Sequence, residues 1–335
     1  KKSFRDLQWF ENSKRVASML STKNSLNALK RTSEQKPLGS SASISEKLKR
    51  RIQEQATRRR PIQLMTVNGD LEKYYNGQLR TMINLMARSV QEALIPVLKR
   101  SYTADSFLTD LIKAALNHAA ERFYSDAYHG QQNRLAQRVV SLAESETSAA
   151  FVEQINRALG VDIEGLLTRE SLGDFFDAAV EENVALIRSL SSDYFDNIQR
   201  QVMDSILRGD SVTTLTRNLQ AVTGATYRRA ALIARDQTLK VTSDINRKRQ
   251  TSSGISRFRW SDSKDARVSG NPAGKYPRAK IKCFYIARND VGYGPGVYLW
   301  SRGAMYNGET GLYPGRAHIN CRCTGVPQIQ GLDYK

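Results

Sequence analysis

Residues 176–209 read FDAAVEENVALIRSLSSDYFDNIQRQVMDSILRG, and their apolar positions decide the fold class. Phe176, Val180, Val184, Ile187 and Leu190 recur at three and four, the spacing that lines one face of an α-helix. Phe195, Ile198, Val202 and Ile206 make a further stripe that stops at Gly209, a residue suited to the left-handed turn that ends helices. Upstream, Leu108, Leu111, Ile112, Ala115, Leu116, Ala119 and Phe123 repeat the pattern. Ser171, with Asp174 three residues on, is placed to start the stripe that follows. Downstream, Ser211 is placed to cap a short helix carrying Val212, Leu215, Leu219 and Val222, with Gly224 as its stop. Continuous alternation of β-branched residues is absent from this region, so the middle of the chain is expected to be an α-helical body.

Residues 226–250 read as one more helix, with Ala230, Ile233, Ala234 and Val241 on one side, and Gly254 ends it. The style then changes. Residues 258–260, 283–286 and 297–300 read as short strands between Gly/Pro/Asn-rich turns at 269–277 and 292–296. At the other end, residues 1–60 open on an aromatic patch with Trp9 and Phe10 and continue through a Ser/Lys/Pro/Gly-containing linker. A capping-box signal at Ser43 and Glu46 then introduces a basic helix ending at Arg58, Arg59 and Arg60. Its apolar stripe is thin, so this arm is expected to lie on a partner. The fold class is therefore α+β: a basic N-terminal arm (1–60), a mainly α-helical body (61–225), and a basic helix with a small, loop-rich α+β cap (226–335).

The formal net charge is +18, unevenly placed: residues 1–60 carry +11, 61–226 carry −6 and 227–335 carry +13. An excess confined to the two ends points to a polyanion partner, nucleic acid in preference to membrane. No run approaches the ~20 apolar residues a membrane span needs. Three cysteines in 335 residues make no disulfide framework and suit a reducing cytoplasm. Arg228, Arg229, Arg235, Arg247, Lys248 and Arg249 line the polar faces of the 226–250 helix, with Tyr227, Phe258 and Trp260 near enough in sequence to stack on bases. Together with Arg58, Arg59 and Arg60 they are the candidate DNA contacts. Nothing matches a helix-turn-helix, zinc finger or RNA-recognition module, so such contact is expected to be sequence-independent and salt-sensitive.

Residues 313–323, YPGRAHINCRC, concentrate the reactive side chains. In an extended segment Cys321 and Cys323 share one face while Arg322 points to the other. With Cys283 and His318 they form a Cys3His set, the donor types that zinc prefers. The set lacks CxxC spacing, because Ile286 stands where a second cysteine would fall, and cysteine often serves as a small buried hydrophobe. Buried thiols and no cofactor are the favoured reading, with a structural zinc as the alternative. An enzyme reading would pair His318 with Asp262 or Asp265 as base and acid. Salt bridging to the surrounding arginines is favoured for those carboxylates, so no catalytic residue is assigned. His118 and His129 read as packing or surface residues. Residues 292–296 form a turn and no phosphate cradle, since Pro295 lacks a donor.

In order along the chain stand Glu182–Leu190, Ile206-Leu207-Arg208-Gly209, Arg229–Gln237, Asn246-Arg247 with Arg249-Gln250, Trp260–Val268, Pro314-Gly315 and Asn320-Cys321-Arg322-Cys323. In these pieces and their spacing, from about Gly160 to Pro327, the chain resembles the phage Mu F-like family of minor head, or head morphogenesis, proteins of tailed phages. Many relatives carry a second cysteine near the position of Ile286, or a histidine soon after the Asp-x-Arg-Val element. Here that element runs into Ser269-Gly270-Asn271-Pro272. The resemblance implies a virion structural protein inside the capsid at the portal vertex, acting in head assembly and in DNA packaging or delivery, and present in the host cytoplasm during assembly. It implies the portal protein and packaged phage DNA as partners, with major capsid protein, scaffold or further copies of the chain as others. Membrane and small-molecule substrates are not expected. The arm, through Trp9 and Phe10, is the candidate for portal docking. The alternative is a DNA-acting enzyme, a nuclease or nucleotide-transfer type, using His318 with Asp262 or Asp265.

Overall fold

The computed structural model describes residues 50–51, 62, 67, 69–100, 106–164 and 172–329. Trp9, Phe10, the Ser43 capping signal, Arg58, Arg59, Arg60 and Ser171 lie outside the described residues. The body is built from five long helices: α1 (Gly69–Arg100), α2 (Ser106–Glu121), α3 (Asp126–Leu159), α4 (Gly173–Arg208) and α5 (Val212–Ser252). Helix α5 packs on α1, α3 and α4 and also reaches the cap, so it is the shared spine. Its 41 residues span about 60 Å at 1.5 Å per residue.

Local sequence accounts for most of these elements. On α1, Leu71, Tyr75, Leu79, Ile83, Met86, Val90, Leu94 and Leu98 fall on one face and all are buried. Helix α3 starts at Ser125, whose side chain accepts from Tyr128 N, and ends at Gly160 with φ +71°. Helix α4 ends in a Schellman motif: Gly209 N donates to Ile206 O (3.0 Å) and Asp210 N donates to Ser205 O (2.9 Å). Ser211 then caps α5 through Thr214 N at 3.2 Å. A three-residue connection thus turns the chain back, making α4 and α5 antiparallel neighbours.

Four expectations need correction. The two stripes between 176 and 206 belong to one continuous helix, α4, in which buried Ser191 and Tyr194 bridge them; Phe175 is buried where Phe176 is half-buried. Gly224 does not end a helix. It sits inside α5, where its cost of about 1 kcal/mol relative to alanine is offset by packing along both halves. The boundary expected at 225–226 accordingly falls within α5. In α2, Ile112, Leu116 and Ala119 are buried but Leu111 is exposed, and the side chain of Leu108 lies outside the described residues. Residues Cys283–Ile286 form a helical turn, α6, and not a strand. The turn puts Cys283 and Ile286, three apart, on the inside, with Phe284 half-buried against the cap core and Tyr285 exposed.

The cap is a three-stranded antiparallel sheet, β1 (Arg257–Ser261) flanked by β2 (Val297–Leu299) and β5 (Thr324–Gln328), with a hairpin of β3 (Ala304–Tyr306) and β4 (Glu309–Leu312). The hairpin turns at Asn307 and Gly308, both at positive φ, as a two-residue loop of matching twist requires. In register, Phe258 faces Tyr298 on one side and Pro327 on the other; Pro327 is tolerated because β5 is an edge strand of this sheet. Phe258 stacks on Trp300 at 3.8 Å between ring centroids, which excludes a side chain at Gly325: a Cβ there would lie 2.5 Å from the Trp300 ring.

Gly315 makes a comparable close approach to α5. It has φ +76°, and a Cβ would fall inside contact distance of Ser243 and Leu239 O. Two glycine substitutions should therefore move stability in opposite directions. Gly315→Ala is expected to destabilise by about 1–3 kcal/mol through overpacking alone. Gly224→Ala, whose Cβ would meet nothing nearer than Arg228 Nη1 at 3.8 Å, should stabilise by about 0.4–1 kcal/mol. Urea unfolding of the two variants checks this; equal effects would refute the placement of Gly315 on α5.

Candidate functional site

The buried reactive side chains meet where three cap segments converge. Cys283 opens α6, His318 follows β4, and Cys321 and Cys323 lead into β5. Asn320 has φ +56°, a conformation asparagine tolerates better than most residues, and Cys321 N donates to His318 O at 3.1 Å. This tight turn brings the histidine and Cys321 to the same point. Cys283 Sγ lies 3.3 Å from His318 Nε2 and 3.9 Å from Cys321 Sγ. The donor atoms of these three residues all lie within 4.8 Å of one another. Cys323, also buried and in the same core cluster, lies outside this three-residue group, so the structure brings together three residues of the expected Cys3His set with the fourth beside them. All three cysteines are free and buried.

Around this cluster the polar groups are organised. His318 Nδ1 lies 2.9 Å from Ile319 O; a carbonyl only accepts, so Nδ1 carries a hydrogen and Nε2 is the nitrogen that faces the thiols. Ser269 Oγ accepts from Cys283 N and stands 3.1 Å from His318 Nε2. Hydrogen bonds with Cys283, Cys323 and His318 hold the Cys321 thiol well below the ordinary thiol range. Burial disfavours a charged His318, but bonds to Cys283 and Cys321 outweigh it and push the ring up to about 11. Ser269 has no feature in the sequence that singles it out, because its importance comes from Cys283 and His318, 14 and 49 residues away.

The carboxylates of the enzyme reading have other partners. Asp262, buried, pairs with Arg288 at 2.7 Å. Asp265 accepts a two-pronged bond from Arg322 at 2.5 and 2.6 Å, which holds its carboxyl below the usual range. Among the described residues, His318 is bonded to neither. Instead Arg322, pointing away from its cysteine neighbours as expected, ties the 321–323 segment to the turn at 262–268.

The expected DNA-facing helix is also redistributed. Arg249 is a correction: it is buried, 2.6 Å from Glu144 and 2.8 Å from Ser148, and so faces α3. Arg229 is drawn to Asp193 and Ser189 on α4, and Arg235 lies 3.0 Å from Glu72 on α1. Arg247 stacks on Tyr313, 3.6 Å from the ring centroid, and Lys248 is half-buried. Arg228 is exposed. Of the aromatics, Phe258 and Trp260 are internal and belong to the cap core.

What the polar face of α5 does is dock the cap. Arg316 reaches into the junction, bonding Asp244 of α5 and Glu182 of α4, the latter at 3.1 Å. Lys240 joins Asp236 (2.7 Å), and Asp236 accepts from Asn320 N at 2.8 Å. Asn246 and Gln250 both donate to Gly325 O, at 2.9 and 2.8 Å, and Gln250 accepts from Trp300 Nε1 at 2.9 Å. Burial works to raise Glu182, yet the charges of Arg316 and Lys240 and the bonds from Arg316 and Gln237 hold it below the usual carboxylate value. The docking role of these residues was not read from the sequence, where polar groups on a basic helix look solvent-facing.

With this geometry in view, comparison with known proteins is informative. Residues 196–326 match the family model described as Phage Mu protein F like protein. The match starts in α4 and takes in α5, the cap and all four Cys/His residues, so the resemblance read from the sequence is borne out over that stretch. The family is one of phage head morphogenesis, a structural role. An uncharacterized protein of Haemophilus influenzae (strain ATCC 51907 / DSM 11121 / KW20 / Rd) is 26% identical over 226 residues, covering 67% of this chain and 51% of its own length. The chain thus spans about half of that relative. No solved structure matches. Among the described residues no helix is long and apolar enough to cross a membrane.

The ion network makes a testable demand. Arg316→Ala leaves buried Asp244 without its bonded cation and removes one of the two cations beside half-buried Glu182, and should cost about 3–5 kcal/mol in urea unfolding. Glu182 has a folded-state pKa below its ordinary 4.5. Its contribution is therefore complete above that pH and lost as pH falls through the folded value. The melting-temperature gap between wild type and Glu182→Gln should be full near neutral pH and shrink under acid. A gap independent of pH would contradict an ionised Glu182.

Proposed function

We propose that this chain is a head-morphogenesis protein that sits inside the phage capsid at the portal vertex, contacts packaged DNA and carries out no catalysis. The family match across α5 and the cap as far as Val326 carries this reading. The charge partition supports it: both ends are basic, at +11 and +13, while the middle is slightly acidic. Basic ends would meet DNA or an acidic portal surface, and the helical body would pack against neighbours, including major capsid protein, scaffold or further copies of the chain. The arm, through Trp9 and Phe10, is the proposed portal anchor, with Arg58, Arg59 and Arg60 as its DNA contacts.

The cap adds a surface that residue spacing alone did not single out. Lys275, Tyr276 and Arg278 are all exposed in the turn-rich segment before α6, and Tyr276 is 55% exposed. Cations beside an outward ring suit phosphate contact and base stacking without sequence preference. With Arg249 internal, and Arg229 and Arg235 paired, this loop and Arg228 are the DNA-facing groups proposed among the described residues.

Two measurements test the reading. Co-expression with the portal protein of the same phage should yield one complex that survives above physiological salt, and deletion of residues 1–60 should abolish it. Retention of the complex without those residues would remove the arm from the docking role. Binding to random duplex DNA should weaken linearly in log–log salt plots. Replacing Lys275 and Arg278 by alanine should make that slope shallower by about 1.8, at about 0.9 for each phosphate no longer neutralised. An unchanged slope would move the DNA-binding surface elsewhere.

A further inference from the structure

We propose that Cys283, His318 and Cys321, whose donor atoms already converge, bind one zinc ion with the adjacent buried Cys323 turning in as the fourth ligand, a closed structural site that staples the cap. The distances decide between zinc and its competitors. A tetrahedral zinc with bonds of about 2.3 Å to sulfur and about 2.0–2.1 Å to nitrogen sets its donors about 3.8 Å apart for two sulfurs and about 3.6 Å for sulfur and nitrogen. The observed separations are 3.9 Å for Cys283 and Cys321 and 3.3 Å for Cys283 and His318. A disulfide would need about 2.05 Å between sulfurs and would leave the third thiol and the histidine without a purpose.

The chemistry of the donors agrees with the distances. Three thiolates and one imidazole form a soft set that selects zinc over the hard cations, which take oxygen ligands. The bond of Nδ1 to Ile319 O fixes the ring and turns Nε2 inward, the outer-sphere arrangement typical of ligating histidines. Arg322, whose guanidinium is tied to Asp265, supplies positive charge near an ion complex that would carry a net negative charge. The three cysteines are 1%, 0% and 6% exposed, which leaves no open coordination position for a substrate and assigns the ion a structural role. The same burial argues against Cys283 as a nucleophile activated by His318, since such thiols are accessible.

The cap has physical need of such a staple. The segments that supply the ligands have little regular pairing, and 34 residues lie between Cys283 and His318. Closing that excursion with a metal fixes the order of α6, the β3–β4 hairpin and the lead into β5. Binding would displace the protons of the thiols, so metal affinity and cap folding would be linked.

The test is metal analysis of the full chain, expressed with added zinc and passed through a brief chelator wash and gel filtration. About one zinc per chain is expected, with marked loss in Cys321→Ser and in His318→Ala. Should those variants fail to fold, the wild type decides: strong chelation should lower its melting temperature, added zinc should restore it, and cobalt(II) should give the intense visible absorption of tetrahedral thiolate coordination. A folded wild-type chain without zinc, whose three thiols react as free groups and whose melting temperature ignores chelator and added zinc, would overturn the proposal. So would a Cys283–Cys321 disulfide found by mass spectrometry.

Discussion

The guanidinium of Arg316, carried by a cap loop, is shared between Asp244 on α5 and Glu182 on α4, and the placement of the cap on the body depends on it. Ion pairs of this kind are expensive to bury and return their cost only when each charge finds its partner. The network is extended on the body side: Tyr75 of α1 donates to Asn183 (3.0 Å), Asn183 to Gln237 (3.4 Å) and Gln237 to Glu182 (3.2 Å). A cap rotated by even one helical turn would leave several of these groups buried and unpaired. The penalty of misdocking, more than the gain of docking, makes the arrangement specific.

Helix α5 transmits that specificity. Its first half is held between α1 and α4 by an ordinary apolar face. Its second half meets the cap through Ser243, Asn246, Arg247 and Gln250, which satisfy the carbonyls of Pro314, Trp300 and, on β5, Gly325. The contact is close because Gly315 and Gly325 carry no side chain where the helix and Trp300 approach. One helix thus spans both parts, with apolar contacts to the body and polar contacts to the cap.

The same geometry separates the charge of the chain into two kinds. Arg249, Arg316 and Lys240 are consumed internally, each paired to a carboxylate on another turn or another element. Arg228, Lys275 and Arg278 remain outward. A net charge of +18 is therefore a statement about long-range attraction to polyanions, and it does not identify which cations make contact.

Residue order by itself determined the helical body, the change of style after residue 254 and the helix ends at Gly209 and Gly254, and it singled out the scarce Cys and His side chains of which three converge. Each follows from interactions within a few residues or from plain chemistry: apolar spacing, caps, left-handed turns, and distinctive side chains that are scarce in the chain. Tertiary structure decided what the polar residues are for. Gly224 sits mid-helix because three other helices pack on α5, and Cys283–Ile286 coils because two residues three apart must both face inward. Arg249 faces Glu144 across 105 residues, and Arg316 faces Glu182 across 134. Exposed and buried polar residues on a helix have the same local pattern, so their roles became visible only once distant partners were brought beside them.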